Sequence, residues 1–220
     1  MTHAREFPSE LGRSERGVRA YHVGNVRNRL LAAAKTILER EGRDHLQLRA
    51  IAARIGVSAP TVYYHYADKR SLLAALAREG FAALRGALEH ADAGETGGAG
   101  LRAISAAYLG FVDEHPALYR LMYELRDSEP TAEVVAAEDD AFNALRQAVA
   151  RTLSKTAPEE AAETVAEALW AFGRGAAAVG LSRGRCSGGA ALAWIQQALL
   201  GLALLDSGGL LASWAPLGSM

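Results

Sequence analysis

Apolar positions recur along most of this chain at helical spacing. In "VRNRLLAAAKTILEREG" (26–42), Leu30, Leu31, Ala34, Ile37 and Leu38 fall at i, i+1, i+4, i+7 and i+8, the stripe of an amphipathic helix. Gly42 follows as a stop, because glycine tolerates the left-handed conformation that closes a helix. From Asp68 the period restarts through Leu72, Leu73, Leu76, Phe81, Leu84 and Leu88, until "ADAGETGGAG" (91–100) reads as a loop. Further helical blocks are expected at about 101–114 with 117–126, 132–154, 159–182 and 188–206, with breaks near Pro116, Pro130 and Pro158. No segment alternates with period two and nothing repeats, so the fold class is all-α.

Between the first two long helices, "LQLRAIAARIGVSAPTVYYHY" (46–66) has a different texture. Ile51, Ala52 and Ile55 make one face of a two-turn helix, Gly56 can take the positive φ that ends it, and Val57 can turn inward. Ser58 is a suitable N-cap, and Pro60 is tolerated in the first turn, where its missing N–H has no intrahelical partner. Two short helices joined by a three-residue turn within about 47–66 form a helix-turn-helix. At 100° per residue, Val62 and Tyr66 lie about 40° apart and face the core. Thr61, Tyr64 and His65 then share the outer face, with Tyr63 flanking it. Hydroxyls, an imidazole and aromatic surface on a helix suit base edges in the major groove. Lys69, Arg70 and Arg49 bring charge for phosphates, as do the amide groups around Ser58 and Ala59.

Charge sharpens this picture. Residues 1–70 carry 13 basic and 7 acidic side chains, whereas residues 71–220 carry 11 and 18, so a net charge of −1 conceals a basic head on an acidic body. That asymmetry suits a polyanion partner for the head. Residues 1–24 are polar and aperiodic, and read as a flexible basic arm whose Arg13, Arg16 and Arg19 can reach DNA or simply stay mobile. The N-terminus lacks the apolar core of a signal peptide, and "AALAWIQQALLGLALL" is too short and too polar at Gln196 and Gln197 for a membrane span. A single cysteine, Cys186, excludes an internal disulfide. The expectation is a soluble cytoplasmic protein with no membrane partner.

In block 159–182, Val165, Leu169, Phe172, Ala176 and Val179 step by 4, 3, 4 and 3, a heptad-like seam. In block 188–206, Leu192, Ile195, Leu199 and Leu202 form one apolar face, and Trp194, Ala198, Gly201 and Leu205 a second. A helix apolar on two faces is buried twice, so a homodimer through a four-helix bundle is expected, with Gly173, Gly175, Ala177 and Gly201 permitting close approach. Tyr108, Phe111, Tyr119, Met122, Tyr123, Phe142 and Trp170 are the set able to line a ligand cavity, and equally able to fill a core. As a group they suit an apolar, flat ligand.

Glu138, Asp139 and Asp140 read as a solvated face rather than a metal site, the histidines show no ligand spacing, and no cofactor is implied. Nucleophile elbow, phosphate-binding glycine loop and paired catalytic carboxylates are all missing, which argues against an enzyme.

The stretch "LRAIAARIGVSAPTVYYHYADKRSLLAALA" closely resembles the DNA-binding head of the tetracycline-repressor (TetR) family of bacterial transcription regulators. The resemblance rests on Ile51-Ala52, Gly56-Val57-Ser58, Thr61-Val62-Tyr63, Tyr66, Lys69 and Leu72-Leu73 and covers residues 24–84, departing from the usual family version at Pro60 (Gly) and Tyr66 (Phe). It implies a DNA-binding domain over 25–84 and a helical ligand-binding and dimerisation domain over 85–220. Carried over, Tyr63 and Lys69 hold phosphates, Thr61 sits at the groove, Arg49 reaches a base or phosphate, and Ala59, Tyr64 and His65 carry sequence choice. Segments "HPALYRLMYELRD" (115–127) and "ALWAFGRGAAAVGL" (168–181) resemble a TetR C-terminal class marked by His-Pro and by Trp-x-x-x-His-Gly. Trp170 and Gly175 match, but Arg174 replaces the histidine, which suits either an anionic ligand or an ion pair with an acidic neighbour. The implied function is a homodimeric repressor released from a near-palindromic double-stranded operator by a small apolar or aromatic inducer. The alternatives are the same fold acting mainly through a protein partner, and an enzyme using the aromatic cavity.

Overall fold

The computed structural model describes residues 14–91, 97–153 and 159–182, and among these every regular element is a helix. They divide into two compact units, residues 1–76 and 77–220. The expected helix over 188–206, with Trp194, Ala198, Gly201 and Leu205, lies outside the described residues, as does Cys186.

The first unit begins with α1 (Ser14–Glu41). Its apolar stripe is buried, with Leu30 and Ala34 0% exposed and Ile37 and Leu38 close to that, each Leu or Ile contributing about 1.5–3 kcal/mol on burial. The helix starts well before Val26, so the expected flexible arm is helical from Ser14 onward. Once the buried turns nucleate the helix, each added residue gains a hydrogen bond, and isolated glycines such as Gly17 and Gly24 cost only about 1 kcal/mol each. Gly42, at φ 88°, ends it and donates to the Ile37 and Leu38 carbonyls at 3.1 and 3.2 Å.

After a 3-10 turn (Arg43–His45) come α2 (Leu48–Ile55) and α3 (Ala59–His65). Gly56 sits in the left-handed region at φ 71°, ψ 36°. Its N–H reaches the Ala53 carbonyl at 3.3 Å and that of Val57 reaches the Ala52 carbonyl at 3.0 Å, the paired bonds of a Schellman stop. Leu48, Ile51, Ala52, Val62 and Tyr66 are buried, with α2 packed on both α1 and α3. Next, α4 (Lys69–His90) starts on a reciprocal cap. The Ser71 N–H donates to Asp68 Oδ1 at 2.7 Å, and the Asp68 N–H donates to Ser71 Oγ at 3.2 Å. Hydrogen bonds from Ser71 hold the Asp68 carboxyl below its ordinary pKa.

The division at 76/77 falls within α4, with no linker to mark it. Residues beyond it, Phe81, Leu84 and Leu88, are fully buried. With them in the second unit are α5 (Gly97–Glu114), α6 (Pro116–Ser128), α7 (Ala132–Thr152) and α8 (Glu159–Ser182). Residues 97–100, expected in a loop, are the first turn of α5. α7 packs on α8 and α5, and α5 also packs on α8 and α6. No helix among the described residues is long and apolar enough to cross a membrane.

Candidate nucleic-acid interface and aromatic core

The first candidate site is α3. Its inner side is anchored by Val62, 0% exposed, and by Tyr66 just past its end, 3% exposed. With that face fixed, the outer residues have one direction left: Tyr64 is 78% exposed, Tyr63 45%, and Thr61 and His65 are half-buried. Tyr64 and His65 meet edge to face at 5.3 Å between ring centroids. Burial, and then the charge of Arg27, lower the His65 pKa below its ordinary 6.5, so the ring is neutral near pH 7 and offers one donor and one acceptor.

Ser58 occupies the N-cap position as expected, but its hydroxyl bonds the Thr61 hydroxyl at 2.7 Å rather than a backbone amide. Pro60 removes one amide from that first turn, and both Ser58 and Pro60 are exposed. Ala59 is half-buried beside them, and Arg49 is exposed on the first turn of α2. Lys69 is engaged already, its Nζ donating to the Arg43 carbonyl at 3.0 Å. Arg29 donates to the Ile55 carbonyl at 2.6 Å, tying α1 to the end of α2. Tyr64 is thus the most exposed of these side chains, with Tyr63 exposed and Thr61 and His65 half-buried. The carbonyl bonds of Lys69 and Arg29, made across 26 residues, were beyond any local pattern.

The second candidate site is the aromatic core of the second unit. Tyr108 on α5 places its hydroxyl 2.8 Å from that of Tyr119 and 3.4 Å from that of Tyr123, both on α6. Its ring also meets Trp170 of α8 edge to face at 5.6 Å, and Trp170 meets Phe142 in the same way at 5.6 Å. Burial raises the pKa of all three phenols, so they are neutral donors and acceptors. Two of the candidate ligand residues stand apart from this cluster. Phe111 meets His115 edge to face, and Met122 is fully buried against the bare backbone of Gly80, where an added Cβ would lie 2.5 Å from its Sδ.

Among the described residues these rings pack on one another at Tyr108, Trp170 and Phe142. A void of about 10 Å³ remains among Ile104, Ser105, Tyr108, Leu145, Leu169 and Gly173, room for one water. A Cβ on Gly173 would sit 2.8 Å from the Tyr108 ring, so this glycine admits the close approach of α5. Along α8 the buried positions are Ala162, Ala166, Gly173 and Ala177. The heptad-like set is offset from them: Val165, Leu169, Phe172 and Ala176 are half-buried, and Val179 is 48% exposed.

Arg174 has the acidic partner that its ion-pair reading requires. Its Nη2 donates to Asp127 Oδ2 at 3.0 Å, and its guanidinium lies 4.2 Å from the Tyr123 ring centroid. Glu138 departs from the expected solvated face. It is 7% exposed and paired with Arg126, while Asp139 and Asp140 point to solvent. The carboxylate turns inward because α6 supplies a guanidinium there. Among the described residues no three His, Cys, Asp or Glu side chains converge as a metal site.

Comparison with known proteins places both units in one context. A family model described as bacterial regulatory proteins, tetR family, matches residues 30–76. A second, described as tetracyclin repressor-like, C-terminal domain, matches residues 101–210, half of the chain. The class A tetracycline repressor protein from transposon 1721 of Escherichia coli is 44% identical over 50 residues. That match spans 23% of each chain. A solved protein of unknown function from Rhodococcus sp. RHA1 is 31% identical, with TM-score 0.66 over 81% of this chain and 95% of that one. The TetR family transcriptional regulator PfmR from Thermus thermophilus shares the fold at 18% identity, with TM-score 0.55 over 76% of this chain and 94% of that one.

Proposed function

The chain belongs to the tetR family of bacterial regulatory proteins, and from that premise we propose that it is a DNA-binding transcriptional regulator, a repressor released from its operator by a small apolar or aromatic inducer. The observation that carries the reading is the exposed surface of α3, where Tyr63, Tyr64 and His65 face outward on a helix locked from behind by Val62 and Tyr66. At 78% exposure, Tyr64 adds little to the packing of the head, and a large polar aromatic on a narrow helix suits a groove.

In this reading the head, about residues 25–84, inserts α3 into the major groove. Thr61, Tyr64 and His65 face base edges together with Arg49, and Ala59 leaves room for close approach. Tyr63, Lys69 and the start of α3 at Ser58 and Pro60 meet the phosphates. Two copies pair through α8 and the segment after it, and read a near-palindromic operator with half-sites about one helical turn apart. The inducer enters the body among Tyr108, Tyr119, Tyr123 and Trp170, displacing the aromatic packing. It favours a conformation of lower DNA affinity. With Arg174 matched by Asp127, a neutral ligand suits this part of the body.

One observation favours a second reading. Among the described residues, the void beside Tyr108 is about 10 Å³, far below the few hundred Å³ of an open ligand pocket. The same fold could instead be released by a protein partner bound on the body surface.

The test is fluorescence anisotropy of the purified protein on labelled DNA flanking its own gene, at several salt concentrations. Tight, salt-steep, sequence-selective binding is expected, and neutral aromatic compounds should release it. Weak binding that ignores sequence would overturn the regulator reading. Selective binding that no small molecule relieves would favour the protein partner.

A further inference from the structure

Arg27 lies on α1, outside the helix-turn-helix, yet its guanidinium carbon is 5.8 Å from the centroid of the Tyr66 ring. Tyr66 closes the C-terminal end of α3, so this charge is held beside the last turn of the exposed helix. Three other cations in the head are engaged by the fold: Arg29 by the Ile55 carbonyl, Arg54 by Glu41, and Lys69 by the Arg43 carbonyl. Arg27 differs. Among the described residues no carboxylate or carbonyl accepts from its guanidinium, which carries five N–H donors in a fixed fork. In the free protein its charge also works against protonation of His65, the imidazole on the exposed face of α3.

A half-buried arginine steadied by an aromatic ring, with no anionic partner among the described residues and beside an imidazole that it keeps neutral, is poised for an anion from outside. The anion that reaches this edge when α3 lies in a groove is a backbone phosphate, whose geometry the guanidinium fork matches. We propose that Arg27 is a DNA-phosphate contact supplied by α1, at the rim of the surface formed by Tyr64 and His65. The inference rests on the DNA-binding reading above. It assigns Arg27 to positioning: the arginine fixes where α3 sits along the duplex, while neutral His65 stays free to read a base.

The experiment compares the full chain with Arg27→Gln and Arg27→Lys on a labelled duplex from the flanking region and on a scrambled duplex of equal length. Log affinity is measured against log salt, with thermal melting of each protein alongside. Arg27→Gln should weaken both duplexes by a similar factor and shallow the slope by about 0.9 for every phosphate that is no longer neutralised. Arg27→Lys should keep the slope. An unchanged slope in Arg27→Gln, with only a lower melting temperature, would mean that the side chain merely packs on Tyr66 and would overturn the proposal. A weakening confined to the flanking sequence would overturn it too, by making Arg27 a base contact. The two readings fail differently: if wild type itself binds without selectivity or salt dependence, the DNA-binding reading falls and Arg27 falls with it.

Discussion

Arg174 on α8 and Asp127 on α6 are bound by two contacts from one nitrogen, Nη2 to Oδ1 at 3.2 Å and to Oδ2 at 3.0 Å. The same guanidinium lies over the ring of Tyr123, one helical turn before Asp127. One residue of α8 thus grips two successive turns of α6, by charge at one and by a π face at the other. The carboxylate is well exposed, so water screens most of the ion pair. Asp127→Asn should therefore cost less than about 1 kcal/mol in urea unfolding, and Arg174→Ala more, because it also removes the stack on Tyr123. The reverse order would show that the ion pair, and not the ring contact, holds these helices.

Gly173 and Gly175 test packing against helix propensity on a single helix. A Cβ at Gly173 would meet three Tyr108 ring atoms at 2.8–3.1 Å, and that ring is pinned by Tyr119 and Trp170. Gly173→Ala should destabilise by about 1–3 kcal/mol, the usual cost of overpacking. Gly175 has nothing within 4 Å of its added Cβ, so Gly175→Ala should stabilise by up to about 1 kcal/mol. Thermal melting of the two variants checks both signs.

Lys69 separates a structural role from a binding role. Because its Nζ holds the Arg43 carbonyl, Lys69→Ala should lower head stability by about 1 kcal/mol as well as weaken DNA binding across sequences. Tyr63→Phe, at a ring 45% exposed, should weaken binding with the melting temperature unchanged. A Lys69→Ala protein with wild-type melting would mean that the carbonyl bond contributes nothing.

His65 predicts how stability depends on pH. Burial and Arg27 hold its folded pKa below the ordinary 6.5, so the unfolded chain takes up the proton more readily. Its contribution is fully present above about pH 6.5 and is lost as pH falls from there through the lower folded value. Melting temperature between about pH 7.5 and 5.5 should fall more steeply for wild type than for His65→Gln. Parallel curves would show that the imidazole titrates as it does in the unfolded chain.

What the sequence determined by itself is what a few consecutive residues can encode. The buried stripe of α1, the glycine at positive φ in the turn, the proline in the first turn of α3 and the division of α3 into a Val62–Tyr66 side and a Tyr64–His65 side all follow from helical period and local backbone sterics. Each depends on neighbours within about one turn. The exposed face of the head was readable for the same reason.

Only the tertiary structure decided the rest. That Arg174 meets Asp127, 47 residues away, that Glu138 turns inward to Arg126, and that Gly173 exists for the ring of Tyr108 are facts about which helix faces which. Among the described residues, the aromatic side chains of α5, α6, α7 and α8 meet one another, and a void of about 10 Å³ lies beside Tyr108. Periodicity says that such residues face inward. Whether they enclose a space or occupy it depends on side-chain volumes summed across α5, α6, α7 and α8, and no single helix carries that sum.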